Sequence, residues 1–268
     1  MPLIHRAHHF LHYDTLGDPR NPPLLLIMGL AVSSRAWGRL PELMSHDFYV
    51  LSFDNRGTGG SARSGFAYRM SDLADDAAAV IEAAGLPSAH VFGISMGGMI
   101  AQELALRHPE RVRSLALGAT LASFRKGHRA SLHRSWDLVA LNLGFTAAER
   151  VARLLVSADW EARNPGGALE WIRGAEPAGF RLAMAQFLAV ARHHTLERLA
   201  KLRAPTLVIT GDADRLVPPR NSEVLAQLIP GARLLVLPGA GHCFPLEREE
   251  ETVRALREHF LASEARAA

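Results

Sequence analysis

Up to about residue 120 the chain alternates between two rhythms, short apolar runs and stretches in which apolar residues recur at helical spacing. The runs Leu24-Leu25-Leu26-Ile27 and Ala89-His90-Val91-Phe92 are too short and too uniformly apolar for surface helices and read as buried strands. Residues Ser71 to Ala84 and Met96 to His108 have helical spacing. Strands that alternate with helices predict right-handed crossovers and a mostly parallel sheet flanked by helices, an α/β fold. His9 to Leu16 reads as an edge strand before a Gly-Asp-Pro turn. From about Leu121 to Leu202 the strand rhythm stops. Helices are expected there at Leu132–Leu143, Ala147–Ser157, Gly167–Ile172 and Phe180–His193, punctuated by Gly144, Asn164-Pro165-Gly166 and Pro177-Ala178-Gly179. Ala204-Pro205 restarts the strand pattern in Pro205–Thr210, and Arg233–Leu237 reads as the last strand. No internal repeat interrupts this order, and Ser263 to Ala268 reads as a frayed end.

The length of 268 residues, 48% of them hydrophobic, suits one large domain, or one with an insertion, whose sheet is buried on both faces. No apolar run is long enough to span a bilayer, and Met1 to Arg6 lacks a signal-peptide pattern, so the expected location is cytoplasmic. The net charge is only +3, with arginines scattered among acids rather than gathered in a stripe, which disfavours nucleic acid as a partner. Cys243 is the single cysteine, so no internal disulfide can form, and it reads as a small pocket-wall residue. His8, His9 and His12 invite a metal reading, but no carboxylate cluster with metal-site spacing accompanies them, and they read as exposed edge histidines. Arg125, Lys126, Arg129 and Arg134 read as a solvated basic helix face, and His193-His194 carries no functional assignment.

Chemistry concentrates around Ser95. Gly93-Ile94-Ser95-Met96-Gly97 lies between an expected strand and an expected helix, the context that makes Gly-x-Ser-x-Gly a nucleophile elbow. Such a turn strains the serine backbone and leaves no room for side chains two residues away, a demand that Gly93 and Gly97 meet. Gly98 would let the helix approach the sheet closely. A serine needs a base, and the base an orienting acid. The loop Gly211-Asp212-Ala213-Asp214 after one strand supplies two candidate acids, and Gly241-His242 after the last strand supplies the base. All lie on loops at the same ends of their strands, in the chain order Ser, Asp, His. An oxyanion hole needs two backbone N–H groups, one of them expected from Met96.

These motifs resemble the α/β-hydrolase family over nearly the whole chain. Asp54-Asn55-Arg56-Gly57-Thr58-Gly59-Gly60-Ser61 is similar to the family's Asp-x-Arg-Gly-x-Gly-x-Ser turn after the fourth strand, Gly211 to Asp214 to its acid loop, and Gly241-His242 to its Gly-His. The resemblance implies Asp214 as the acid, with Asp212 a turn former bonding its own backbone. It implies Leu30 as the second oxyanion donor, in Met28-Gly29-Leu30-Ala31, where the family usually has His-Gly. A Met-Gly at this point resembles bacterial esterases related to the methylesterases of aromatic polyketide tailoring. An eight-stranded-type sheet is implied, with core at 1–121 and 203–268 and an all-helical cap at 122–202, inserted after the sixth strand.

The function implied is hydrolysis of a carboxylic ester of a small or medium apolar compound by Ser95, His242 and Asp214 through an acyl-enzyme, with no metal or organic cofactor. A thioesterase, enol-lactonase, C–C hydrolase or cofactor-free perhydrolase would use the same groups, and a ligand receptor on a hydrolase scaffold is the rival from another class. Serine at the elbow argues against dehalogenases and epoxide hydrolases, which resemble this fold but carry Asp there. Phe124, Trp136, Phe145, Trp160, Trp171, Phe180, Met184 and Phe187 of the insertion could line a substrate pocket, although most of them are expected to pack helix on helix. Phe180, Met184 and Phe187 lead the substrate-pocket candidates there, joined by Met28 and Phe244 from outside it. The expected partner is a small-molecule ester, with no nucleic acid or membrane, and a homodimer is left open.

Overall fold

A strand covered on both faces has no polar alternate positions, and the centre of this fold is built from such strands. All residues of β3 (Pro23–Ile27) and β5 (Ala89–Ile94) are buried. The computed structural model describes residues 3–6, 9–61, 68–124, 148–176 and 178–267. With β1 (Leu3–Arg6), β2 (His9–Leu16), β4 (Tyr49–Phe53), β6 (Val112–Gly118), β7 (Thr206–Gly211) and β8 (Arg233–Leu237), they form one eight-stranded sheet in the order β1-β2-β4-β3-β5-β6-β7-β8. Pairs β1–β2 and β2–β4 are antiparallel, and all the remaining neighbours are parallel. β3 and β5 occupy the middle of the sheet.

The helices are α1 (Leu40–Met44), α2 (Met70–Ala83), α3 (Met96–Arg107), α4 (Ala148–Leu155), α5 (Ala158–Arg163), α6 (Gly167–Gly174), α7 (Phe180–Arg192), α8 (Arg220–Leu228), α9 (Phe244–Glu247) and α10 (Glu249–Ala267). Because side chains alternate along a strand, Leu25 and Ile27 join a core with Leu73 of α2 and Ile100 of α3. Leu24 and Leu26 join the opposite core, with Met44 of α1 and Phe260 of α10. Among the described residues no helix is long and apolar enough to cross a membrane.

Helices α4 to α7 lie between β6 and β7, as the interrupted rhythm predicts, and α5 adds a turn that the sequence reading did not separate. The expected helix at 132–143 and the basic cluster at Arg125, Lys126, Arg129 and Arg134 lie outside the described residues. The two ends of the insertion meet where Ser123 bridges to His194 and the Thr195 N–H donates to the Ala122 carbonyl at 2.9 Å. Buried Gln102 of α3 pins both ends, donating to the Leu121 carbonyl at 3.1 Å and accepting from the Thr195 hydroxyl at 2.6 Å.

The amino-terminal region departs from expectation. β2 is not the sheet edge: β1 pairs outside it, a four-residue strand too short and too exposed to show alternation. His9 and His12 are therefore not exposed edge histidines. His9 Nε2 lies 3.1 Å from Asp76 Oδ1 and His12 Nδ1 lies 3.2 Å from Asp54 Oδ2. His8 lies outside the described residues.

Burial also sets a pH limit on the fold. Desolvation pushes the imidazoles of His90 and His259 down to about 4 and that of His193 down to about 3. An unfolded histidine takes up its proton near pH 6.5, so below that pH the unfolded chain binds protons that the folded chain refuses. Stability is then full above about pH 6.5 and lost as the pH falls toward 4. Thermal unfolding followed from pH 7.5 to 4.5 should show this decline. His259→Gln, whose amide can still donate to the Leu115 carbonyl that His259 Nε2 meets at 3.1 Å, should flatten it. An unchanged slope in that variant would place the titrating groups elsewhere.

Candidate active site

Ser95 joins β5 to α3 with φ 56° and ψ −121°, a conformation that L-residues rarely adopt. It is held from three sides. The Ser95 N–H donates to the Gly118 carbonyl at 2.9 Å, and the Ser95 carbonyl accepts from the Gly98 N–H at 3.0 Å and the Thr120 hydroxyl at 2.7 Å. A Cβ at Gly93 would collide with the Gly97 carbonyl, and one at Gly97 would collide with the Ile27 carbonyl of β3. The glycines flanking Ser95 are thus imposed by close backbone approach.

The loops after β7 and β8 meet beside it. Asp214 is buried; its Oδ1 accepts from the Leu216 and Val217 N–H groups, each at 2.8 Å, and its Oδ2 lies 2.8 Å from His242 Nδ1. Two backbone donors fix the carboxylate, which in turn fixes the imidazole. Asp212 is exposed and does not bond its own backbone: its Oδ1 accepts from the Gly239 N–H at 2.6 Å, tying the acid loop to the histidine loop. Cys243, next to His242, is buried, and burial raises its thiol well above the ordinary range, so it stays a protonated wall residue.

Ser95 and His242 line one cavity. From the core its wall includes Met28, Leu30 and Trp37, and from the insertion Leu155 of α4 and Trp171 and Ile172 of α6. Phe180, Met184, Phe187 and Phe244 are not among its lining residues. Phe244 is fully buried in the core with Phe92, and Phe187 is buried on α7. The insertion helices that contribute to the wall are α4 and α6. Arg39 and Glu249 add an ion pair to the lining, at 3.3 Å. Among the described residues no cluster of His, Cys, Asp or Glu could hold a metal.

The loop Met28–Ala31 passes close to the serine: a Cβ at Gly29 would lie 3.3 Å from Ser95 Cβ and 3.8 Å from its Oγ. Met96 opens α3, where an N–H has no acceptor within the helix. Three side chains that sequence reasoning did not single out hold these loops. Asn55 Nδ2 donates to the Met28 carbonyl at 3.0 Å, and Gln186 Oε1 accepts from the Ala31 N–H at 2.6 Å. Glu247 accepts from the Gly241 N–H at 2.8 Å and, across the gap to the insertion, from the Ser157 N–H at 3.1 Å. For Gln186 a signal existed: it is a polar residue in line with Leu182 and Val190 on the buried face of a helix.

A family model of the alpha/beta hydrolase fold matches residues 22–249. The chain belongs to the α/β-hydrolase family. Rhodomycin D methylesterase DauP from Streptomyces sp. (strain C5) is 30% identical, over 93% of this chain and 94% of its own length. The pimeloyl-[acyl-carrier protein] methyl ester esterase of Chromobacterium violaceum is also 30% identical, over 93% and 97%. A thermophilic esterase from Thermogutta terrifontis, solved with malate bound, superposes with a TM-score of 0.83 over 95% of this chain and 94% of that one, at 27% identity. With esterases as its relatives, this α/β-hydrolase is a hydrolytic enzyme of carboxylesterase type.

Proposed function

We propose that the chain hydrolyses a carboxylic ester with an apolar acyl group through Ser95, His242 and Asp214. The observation that carries the reading is the shared cavity: the strained Ser95 and the Asp214-held His242 line the same apolar space. His242 Nε2 takes the proton of Ser95 Oγ as the oxygen attacks the ester carbonyl. Asp214, bonded to Nδ1, selects the tautomer whose Nε2 is free to accept and stabilises the imidazolium that forms. The Leu30 and Met96 N–H groups receive the negative charge on the carbonyl oxygen. Collapse expels the alcohol, which leaves with the proton returned by His242, and a water molecule then cleaves the acyl-enzyme by the same steps. Water is the one co-reactant, and the proton passes through His242 in both halves.

Residues 122–202 act as a cap in this reading, with Leu155, Trp171 and Ile172 shaping the acyl pocket. Two relatives whose names state methyl esters as substrates support a small leaving alcohol. An apolar wall recognises hydrocarbon by area and discriminates by size.

A fluorophosphonate should label Ser95 and no other residue, and Ser95→Ala should lose roughly three or more orders of magnitude in kcat on a methyl-ester panel. An active, folded protein left unlabelled at Ser95 would sink the mechanism. The two aspartates separate orientation from loop tying. Asp214→Asn should cost about a thousand-fold or more in kcat by leaving His242 in the wrong tautomer, whereas Asp212→Asn should act chiefly on the melting temperature; steady-state kinetics on both variants would expose the reverse ranking. For the pocket, Trp171→Ala should shift the preferred acyl length upward, changing the ratio of kcat/KM between long and acetyl esters by about 1–3 kcal/mol. If all esters slow equally, Trp171 serves packing rather than selection.

A further inference from the structure

We infer that Gln186 is a positioning residue that sets the oxyanion loop from the insertion, so that the hole is complete only while the insertion is docked. This rests on the hydrolytic mechanism proposed above. Gln186 sits in the middle of α7 and is fully buried. Neither of its two hydrogen bonds is to its own helix. Its Oε1 accepts from the Ala31 N–H at 2.6 Å, and its Nε2 donates to the Arg56 carbonyl at 3.1 Å. One amide thus bridges the loop beside Ser95 and the turn after β4.

Ala31 is where the loop needs support. Its φ of 63° lies in the left-handed region, which alanine seldom occupies. Its N–H goes to Gln186, and its carbonyl accepts from the Ala178 N–H, two residues before α7, at 2.7 Å. Both backbone groups of Ala31 are therefore bonded to the insertion. The start of the loop is held differently, by Asn55 of the core at the Met28 carbonyl. Leu30, between the two anchors, lines the cavity beside Ser95. Its N–H lies in the Gly29–Leu30 peptide plane, which the Leu30 backbone dihedrals link to the plane ending at the Ala31 nitrogen that Gln186 grips. The other arm of Gln186 is fixed by a turn that is itself tied down, since the Arg56 side chain ion-pairs with buried Asp76.

A glutamine that merely satisfied the core would affect stability and leave the chemistry alone. A positioning glutamine affects the transition state more than the ground state. Gln186→Met keeps length and volume and removes both hydrogen bonds. Its kcat should fall about 100-fold, the scale of a misplaced or lost oxyanion donor, while KM stays within about threefold. A trifluoromethyl ketone, whose adduct with a serine carries an oxyanion, should lose affinity by the same factor, and a product carboxylic acid should bind as before. Gln186→Glu keeps an acceptor for the Ala31 N–H and loses the donor to Arg56, so its kcat should fall less, about tenfold, with the ketone again following. Should the Met variant fail to fold, the Glu variant decides by the same two readings. Either folded variant with wild-type kcat, or a kcat loss that the ketone does not share, overturns the assignment. Fluorophosphonate labelling keeps the two readings apart: labelled Ser95 with indifferent Gln186 variants ends this inference alone, and unlabelled Ser95 ends the mechanism beneath it.

Discussion

The left-handed backbone of Ser95 is the constraint from which most of the structure can be argued. A non-glycine residue held at φ 56° costs of order 1–3 kcal/mol, and the surrounding packing must impose it. It persists here because β5 ends in the middle of the sheet, with β3 on one side and β6 on the other. β6 supplies the Gly118 carbonyl to the Ser95 N–H, and the segment just after it supplies the Thr120 hydroxyl to the Ser95 carbonyl. β3 approaches so closely that its Ile27 carbonyl leaves no room for a Cβ at Gly97. A serine at an edge strand would lack one of these walls. Central placement, parallel pairing and the glycine pattern are three expressions of one steric requirement.

The same ends of the parallel strands then gather the remaining groups. β7 and β8 run in register to Gly211 and Leu237, so the loops that follow them begin at the same level, and Asp214 reaches His242 without distortion of either strand. The helical insertion supplies part of the bracing of these loops. The Cys243 N–H donates to the Leu155 carbonyl at 2.7 Å, Glu247 spans Gly241 and Ser157, and Gln186 and Ala178 hold Ala31. The insertion is thus bonded to the loop of the histidine and to the loop beside the serine.

Legibility in the sequence followed the strength of the pattern. Leu24–Ile27 is plain because a two-sided burial leaves no polar positions, Pro205–Thr210 because it is an apolar, β-branched run, and the glycines around Ser95, being sterically obligatory, mark the turn. β1 escapes because four largely exposed residues carry no period. His9 and His12 read as surface groups because their partners, Asp76 and Asp54, lie far away in sequence and are brought close only by the fold. The cavity wall was misassigned for a related reason. Helix α7 is the longest helix of the insertion among the described residues, and Ala185, Ala189 and Val190 of its buried face join the core shared with α2 and α3. Leu155 of α4 and Trp171 and Ile172 of α6 supply the wall instead.

The polar groups of the site are few, and their scarcity has a consequence. Around Ser95 the cavity is lined by Met28, Leu30, Trp37, Leu155, Trp171 and Ile172, while the charged lining residues Arg39 and Glu249 are paired with each other. In such surroundings a hydrogen bond to a developing charge is stronger than in water, and an unpaired polar group is costlier. Each polar atom that remains must therefore be held. Asp214 has two backbone donors besides its histidine, and Glu247 has two backbone N–H groups. Gln186 uses both ends of its amide. The apolar wall that would select a substrate is thus also what makes the hydrogen-bond geometry strict.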